Sequence, residues 1–208
     1  MMRTGRNTLP RVPARRRTLL ALVLACGLAG AGATAAPNSF EDESGLSVAV
    51  QYPLILKILQ FDRNLAARSG DEIVIAAVYQ GRYRASTRVR DEVHRAAESS
   101  PGRVADLPVR VVDIDIEQTS LRDAIKSLGV DVVYVAPLRA MDIASITAVT
   151  RELGVATVTG VEDYVHEGIS VGLGVRQEKP CVLVNLDASK AEGVDFSSRL
   201  LSLAQLVK

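Results

Sequence analysis

The stretch that decides the fold is Glu-Ile-Val-Ile-Ala-Ala-Val-Tyr, residues 72–79, which contains almost no polar side chain. Its β-branched residues favour a strand. A strand without alternating polar positions is buried on both faces, as in parallel sheets that helices cover on both sides. Residues 72–79 therefore predict a central strand of an α/β protein.

Outward from this strand, helix and strand patterns alternate. Before it, apolar residues at helical spacing predict a helix from Val48 to Arg68, with Pro53 in its first turn. After it, amphipathic helices and apolar strands predict repeated βα units. The predicted helices are residues 85–99, 120–128, 141–153 and a single turn at 162–165, and the predicted strands are residues 107–115, 131–136 and 155–159. Such repeats indicate a parallel sheet with right-handed crossovers.

The alternation of helices and strands ends in the C-terminal part. Residues 168–176 and 181–186 predict two strands, and the short gap between them forces an antiparallel hairpin. A short helix at residues 188–193 follows, and Ser197 is the predicted N-cap of a last helix over residues 197–207. The predicted fold is a single α/β domain with a mostly parallel sheet, helices on both faces and a C-terminal β-hairpin. It resembles one lobe of a periplasmic binding protein.

The charges are unevenly placed along the chain. The 208 residues include 25 basic and 24 acidic residues, for a net charge of +1. Residues 1–35 hold six arginines and no acid, and removing those six leaves 19 basic residues against 24 acidic ones, so residues 36–208 carry −5. An acidic domain without a basic cluster is a poor nucleic-acid binder.

The basic N-terminal segment is predicted to be a secretory signal peptide. An arginine-rich start, an apolar stretch at residues 18–29 and the tripeptide Ala33-Thr34-Ala35 form its three regions. We expect cleavage after Ala35, a polar spacer over residues 36–47 and the exported domain over residues 48–208. Two alternatives are an uncleaved anchor, although the apolar stretch is short for a ~30 Å hydrocarbon core, and a lipid attached to Cys26.

Residue sets typical of enzymes are missing from the sequence. It has no G-x-S-x-G, P-loop or H-E-x-x-H motif, and its G-x-G at Gly172–Gly174 lies in a strand, where it predicts close packing. His94 and His166 are far apart and lack ligand partners at metal-site spacing. We therefore expect no catalytic residue, no metal site and no cofactor.

Two further polar residues interrupt apolar strands. Cys181 is predicted to be a buried and unreactive thiol. Asn185 is predicted to bind neighbouring backbone in a turn rather than a ligand.

Candidate binding residues lie where the parallel strands end, because open α/β sheets bind ligands at that edge. The candidates for a ligand or partner crevice are Gln80, Arg82, Asp115, Arg139 and Thr159. The two arginines suit an anion, and they suit an ordinary solvated surface equally well.

Three acids beside the second long strand have a spacing of two residues. Asp113, Asp115 and Glu117 would share one face if the strand continued, and they would then suit Ca²⁺. We favour the alternative, in which the strand ends near Asp113 and the acids are solvated loop residues.

The C-terminal sequence carries a family resemblance. Residues 168–172 read Gly-Ile-Ser-Val-Gly, residues 180–189 read Pro-Cys-Val-Leu-Val-Asn-Leu-Asp-Ala-Ser, and residues 193–207 contain Ser-Ser-Arg-Leu-Leu-Ser-Leu-Ala. This succession resembles the ending of the YfiR/HmsC-like periplasmic family, and the resemblance extends over about residues 48–208. The helix around Leu54–Leu65 departs from the aromatic pattern that is common in that family.

The resemblance implies a non-enzymatic periplasmic regulator. Family members of known role restrain a membrane-anchored diguanylate cyclase by binding its periplasmic domain, and release of that restraint raises cyclic-di-GMP and promotes biofilm. A homodimer is also implied. The alternative function is a solute-binding component of a transport or sensory system, although this chain has material for one lobe only.

Overall fold

The computed structural model of the protein describes residues 45–207. Its helices are α1 (Val48–Leu59), α2 (Leu65–Arg68), α3 (Arg84–Ser99), α4 (Leu121–Leu128), α5 (Ile143–Leu153), α6 (Glu162–His166), α7 (Leu186–Ala191) and α8 (Ser198–Leu201). Its strands are β1 (Ile73–Tyr79), β2 (Arg103–Val104), β3 (Leu107–Asp115), β4 (Val132–Val135), β5 (Ala156–Thr159), β6 (Val171–Arg176), β7 (Lys179–Asn185) and β8 (Gln205–Val207).

All of these strands belong to one sheet, in the order β2-β3-β1-β4-β5-β6-β7-β8. The strands from β3 to β6 in that order pair in parallel, as the repeated βα units predict. β6 and β7 form the predicted antiparallel hairpin, with a two-residue turn at Gln177 and Glu178. The mostly parallel α/β fold with a C-terminal hairpin is thereby confirmed.

The central strand β1 is buried on both faces, as its sequence predicts. Ile73, Ile75 and Ala77 pack in the apolar cluster that contains α1 and α3. The alternate residues, from Val74 to Val78, pack in the opposite cluster with α4 and α5. Because successive side chains of a strand point to opposite faces, one apolar run anchors helices on both sides of the sheet.

The predicted N-terminal helix is wrong in its length, because it ends at Leu59 and a separate turn, α2, follows. Within the break, Asp62 pairs with Phe196 as an isolated bridge, and its carboxylate accepts the N–H groups of Asn64 (3.0 Å) and Asp195 (3.1 Å). Tertiary contacts thus replace the helical hydrogen bonds there. Pro53 is the sixth residue of α1 and lies beyond its first turn.

The predicted last helix over residues 197–207 is also wrong. The helix α8 ends at Leu201, and β8 then pairs in parallel with β7, outside the hairpin. Ser197 precedes α8, but its hydroxyl accepts no capping hydrogen bond. The open edge of β7 explains the difference, because its unpaired backbone groups offer hydrogen bonds that a helix would leave unmade.

The predicted signal peptide, the cleavage site at Ala35, Cys26 and most of the predicted spacer lie outside the described residues. Within residues 45–207, no helix combines the length and the apolar character that crossing a membrane requires.

Candidate functional site

The carboxyl ends of β1, β3, β4 and β5 meet at one edge of the sheet, because these strands run parallel. Every predicted crevice residue lies at this edge. Gln80 follows β1, Asp115 ends β3, and Thr159 ends β5. The structure therefore shows whether their polar atoms are available to a ligand.

Gln80 and Arg139 are brought together through the backbone. The buried Gln80 amide oxygen accepts the N–H of Arg139 (2.6 Å), and its Nε2 donates to the Arg139 carbonyl oxygen (3.2 Å). The Gln80 N–H donates to the Ser86 hydroxyl on α3 (3.0 Å). Gln80 thus ties the loop after β4 to β1, while the Arg139 side chain is exposed.

Asp115 ties the loop after β1 to β3. Its Oδ1 accepts the N–H groups of Gly81 (3.1 Å) and Glu117 (3.0 Å), and its Oδ2 accepts from Gln118 Nε2 (2.8 Å). A Cβ atom at Gly81 would lie 2.3 Å from Oδ2, so a side chain at this position would displace the carboxylate. The carboxylate organises two loops.

The neighbouring acids are engaged separately. β3 continues to Asp115, so the expectation that the strand ends near Asp113 is wrong. The Asp113 carboxylate contacts Arg90 (3.2 Å) and His94 Nε2 (2.6 Å) on α3, while Glu117 accepts the N–H of Arg82 (2.8 Å). Asp113 is therefore bound to α3, whereas Asp115 and Glu117 both hold the loop after β1.

Thr159 is fully buried and bonded to backbone. Its hydroxyl donates to the Val135 carbonyl oxygen (2.9 Å) and accepts the N–H of Val161 (3.1 Å). Beside it, Gly160 packs against the amide of Gln51, which accepts a hydrogen bond from the Tyr134 hydroxyl (2.7 Å). α1 therefore reaches this edge of the sheet through Gln51.

At this edge of the sheet, the polar side chains of Gln80, Asp115 and Thr159 therefore mainly hold loops in place and are not free to bind a ligand. Beside Asp115, an open groove of about 330 Å³ lies between β3 and α4, with Asp113, Asp123 and Ser127 among its lining residues. The groove is acidic and does not suit the anion that the two arginines suggest.

A second polar cluster, which the sequence analysis missed, surrounds Glu192. This residue follows α7 and is 0% exposed. Its Oε1 accepts from the hydroxyls of Thr150 (3.0 Å) and Thr157 (2.8 Å). Its Oε2 accepts from the backbone N–H of Thr157 (2.9 Å) and from the Ser170 hydroxyl. One carboxylate thereby joins α7 to α5, β5 and the residue before β6.

Burial governs the acidity of this group. Desolvation raises the pKa of Glu192 from 4.5 to about 7, although the hydrogen bonds from Ser170, Thr157 and Thr150 act to lower it. The signal available in the sequence was the set of hydroxyl residues at otherwise apolar positions. Thr150, Thr157 and Ser170 are all fully buried, and buried hydroxyls require partners.

The C-terminal segment, residues 186–207, carries exposed apolar side chains. Leu203 is 76% exposed and Leu206 is 49% exposed, beside the edge strand β8. Asn185 precedes the segment, and its amide accepts the N–H of Ala188 (3.0 Å) and donates to the Val165 carbonyl oxygen (3.0 Å). Asn185 thus binds backbone groups as predicted, but it does so as the N-cap of α7 and through a distant carbonyl oxygen, not in a turn.

Two other predictions concern the hairpin. A Cβ atom at Gly172 would lie 2.3 Å from Val165, so the predicted close packing of the G-x-G is confirmed. Cys181 is a free thiol of intermediate exposure, so it is less buried than expected, and desolvation raises its pKa.

Solved structures similar to this chain show the fold. One is the ABC domain in complex with L-Trp from Streptococcus pneumonia, with 12% identity and a TM-score of 0.54; the match covers 77% of this chain and 62% of that one. Another is a conserved domain protein from Vibrio cholerae, with 14% identity and a TM-score of 0.54, covering 78% and 61% respectively. The matches thus span about three fifths of these solved chains.

Sequence comparison identifies the family. No curated protein sequence matches the chain. The profile described as YfiR/HmsC-like matches residues 53–205, which include the Asn185 strand and the Ser-Ser-x-Leu-Leu-x-Leu-Ala ending. The chain belongs to the YfiR/HmsC-like family.

Proposed function

We propose that this protein is a non-enzymatic periplasmic regulator that binds and restrains a membrane-anchored signalling protein of the diguanylate cyclase type. Binding would lower cyclic-di-GMP and limit biofilm formation. Family membership supports this proposal, and so does the predicted signal peptide at residues 1–35. We place the mature protein in the periplasm, with cleavage after Ala35 and with lipid attachment at Cys26 as the minor alternative.

The observation that carries the proposal is the exposed pair Leu203 and Leu206 at the outer edge of the sheet. Exposed leucines in a C-terminal segment that is otherwise well anchored are candidates for a protein contact. The three-residue strand β8 is the edge strand of the sheet on this side. An extended segment of a partner can therefore pair with its backbone.

The proposal is tested by recovering the partner. The protein is crosslinked in cells of the source organism, purified, and the attached proteins are identified by mass spectrometry. We expect a membrane protein that combines a periplasmic domain with a diguanylate cyclase domain. If the crosslinked proteins include no membrane protein of this type, the proposal is contradicted.

A variant locates the contact. We expect the double variant Leu203→Ser, Leu206→Ser to lose partner recovery at least tenfold and to raise cellular cyclic-di-GMP. The matched control is Val50→Ser, because Val50 is 40% exposed on α1, away from β8. Equal loss in both variants would show that the effect is not specific to the C-terminal edge.

Solute binding is the second candidate function, and the groove between β3 and α4 favours it. Its acidic lining suits a small cationic solute. A thermal-shift screen of cationic solutes distinguishes the two functions, because a ligand at 100 times its Kd adds about 2.7 kcal/mol to stability. Light scattering of the purified protein tests the homodimer that the family resemblance implies.

A further inference from the structure

The Glu192 cluster has a defined place for one additional proton. The Thr150 hydroxyl has a single hydrogen but two acceptors within reach, the Thr147 carbonyl oxygen (3.2 Å) and Glu192 Oε1 (3.0 Å). When Glu192 is ionised, this hydroxyl donates to Oε1. When Oε1 is protonated, the acid donates to Thr150, and Thr150 donates to Thr147 instead.

The other contacts are the same in both states. The Thr157 hydroxyl and N–H and the Ser170 hydroxyl continue to donate to the carboxyl group. Both protonation states are therefore satisfied by hydrogen bonds, and when the carboxyl group gains or loses its proton only the Thr150 hydroxyl has to turn. The cost of burying the charge is what separates them in free energy.

The surroundings contain no neutralising cation within residues 45–207. On α5, the Arg151 guanidinium donates to the Gly168 carbonyl oxygen (3.2 Å) rather than to Glu192. β5 has no ionisable side chain. The other titratable side chains on and beside α5, α6, β6 and α7 are exposed or have partners of their own. Glu162 is half-buried and pairs with Arg176, and the half-buried Tyr164 donates its hydroxyl to the Leu138 carbonyl oxygen. The exposed ones are Arg151, Glu152, Asp163, His166, Glu167, Arg176, Asp187 and Lys190.

Glu192 lies where the C-terminal segment is attached to the sheet. α7 precedes it, and Val194 and Phe196 after it pack in the core cluster. Its partners belong to α5, β5 and the residue before β6, which are parts of the central fold. The Glu192 contacts therefore act together with this core packing to attach the segment to the central fold.

We propose that Glu192 is a proton-operated latch for the C-terminal segment, residues 186–207, in which the neutral acid holds the segment closed and ionisation loosens it. The direction of the pH dependence follows from the burial of Glu192. The closed state, with a pKa of about 7 at Glu192 against an ordinary 4.5, binds the proton more tightly than an open state that exposes the carboxyl group to water. Opening therefore becomes more favourable as pH rises through this interval. The latch is independent of the partner proposed above.

Hydrogen–deuterium exchange of the purified protein tests the latch. After correction for intrinsic exchange rates, we expect the opening constant of residues 186–207 to rise roughly twentyfold from pH 5.5 to pH 7.5. The Glu192→Gln variant cannot ionise and is expected to change less than threefold. Asp187→Asn, which removes an exposed carboxylate of the same segment, is expected to keep the wild-type response.

Two results would overturn the latch: a wild-type segment whose opening does not depend on pH, or an equal response in Glu192→Gln. If that variant fails to fold, carbon-13 NMR of the wild-type Glu192 carboxyl group decides the question. A titration midpoint above pH 6 supports the latch, and a midpoint at or below pH 6 refutes it.

Discussion

Asp115 and Glu192 are two carboxylates with similar partners and opposite surroundings. Each accepts backbone N–H groups and side-chain donors, and each joins separate segments of the chain. Asp115 lies at the carboxyl-end edge of the sheet, where it is partly exposed, whereas Glu192 is fully enclosed. The hydrogen bonds alone do not distinguish the two sites, but access to water does.

The difference shows how burial changes the role of an anchoring carboxylate. Asp115 is reached by solvent and accepts hydrogen bonds from three donors, and it ties two loops together. Glu192 must give up its hydration without an ion-pair partner, so the neutral acid becomes competitive. Asp62 is a third case, since it is buried but pairs with Arg68 at 2.9 Å.

The largest expected effect comes from removing the enclosed carboxyl group. Glu192→Leu leaves the Thr157 N–H and the hydroxyls of Thr157 and Ser170 without their acceptor, so we expect a loss of about 4 kcal/mol in unfolding free energy at pH 5.5. Urea denaturation measures it. Lys190→Leu, at an exposed position on α7, is the control and should cost less than about 0.5 kcal/mol. A loss below 1 kcal/mol for Glu192→Leu would show that the cluster contributes little to the fold.

The next effect is the pH dependence of stability. The folded pKa of Glu192, about 7, is above its unfolded value of 4.5. Its contribution is therefore fully present below about pH 4.5 and is lost as pH rises to 7, for a total of about 3 kcal/mol. The measurement is the difference in unfolding free energy between wild type and Glu192→Gln from pH 4.5 to 8. A constant difference over that range would contradict the raised pKa.

Gln80→Ala examines the carboxyl-end edge of the sheet. The substitution leaves both the N–H and the carbonyl oxygen of Arg139 without their partner, so we expect a loss of about 2 kcal/mol by urea denaturation. Gln118→Ala is the matched control, because Gln118 is exposed and donates to Asp115, and it should lose under 1 kcal/mol. A near-neutral Gln80→Ala would mean that water replaces these bonds and that the edge is more open than its geometry indicates.

The smallest effect is expected at Asp115. Asp115→Asn keeps an oxygen that accepts the N–H groups of Gly81 and Glu117, so the loss should be about 1 kcal/mol. The pH dependence assigned to Glu192 should persist in this variant. If Asp115→Asn instead abolished the pH dependence assigned to Glu192, the contrast between the two carboxylates would be wrong.

The sequence predicted the repeated βα units well, because their signals are local. β1 and β4 appear as unbroken runs of apolar, mostly β-branched residues, and Gly129 and Gly154 end α4 and α5 in the left-handed conformation. Two of the wrong predictions, at the end of α1 and at β8, involve long-range pairing. Neither the bridge from Asp62 to Phe196 nor the register of β8 on β7 leaves a local pattern.

The candidate site was predicted in position but not in chemistry. The sequence placed Gln80, Asp115, Arg139 and Thr159 at one edge correctly, since parallel strands end together. It did not indicate that backbone groups occupy the polar atoms of Gln80, Asp115 and Thr159. That occupation depends on how closely the loops approach each other.

By itself, the sequence determined the alternation of elements, the hairpin and the family, because periodicity and tail motifs depend on neighbouring residues along the chain. Only the tertiary structure decided that β8 completes the sheet and that Glu192 lies among three hydroxyl residues. Both depend on segments far apart in sequence, and the free energy of a buried charge is set by everything packed around it.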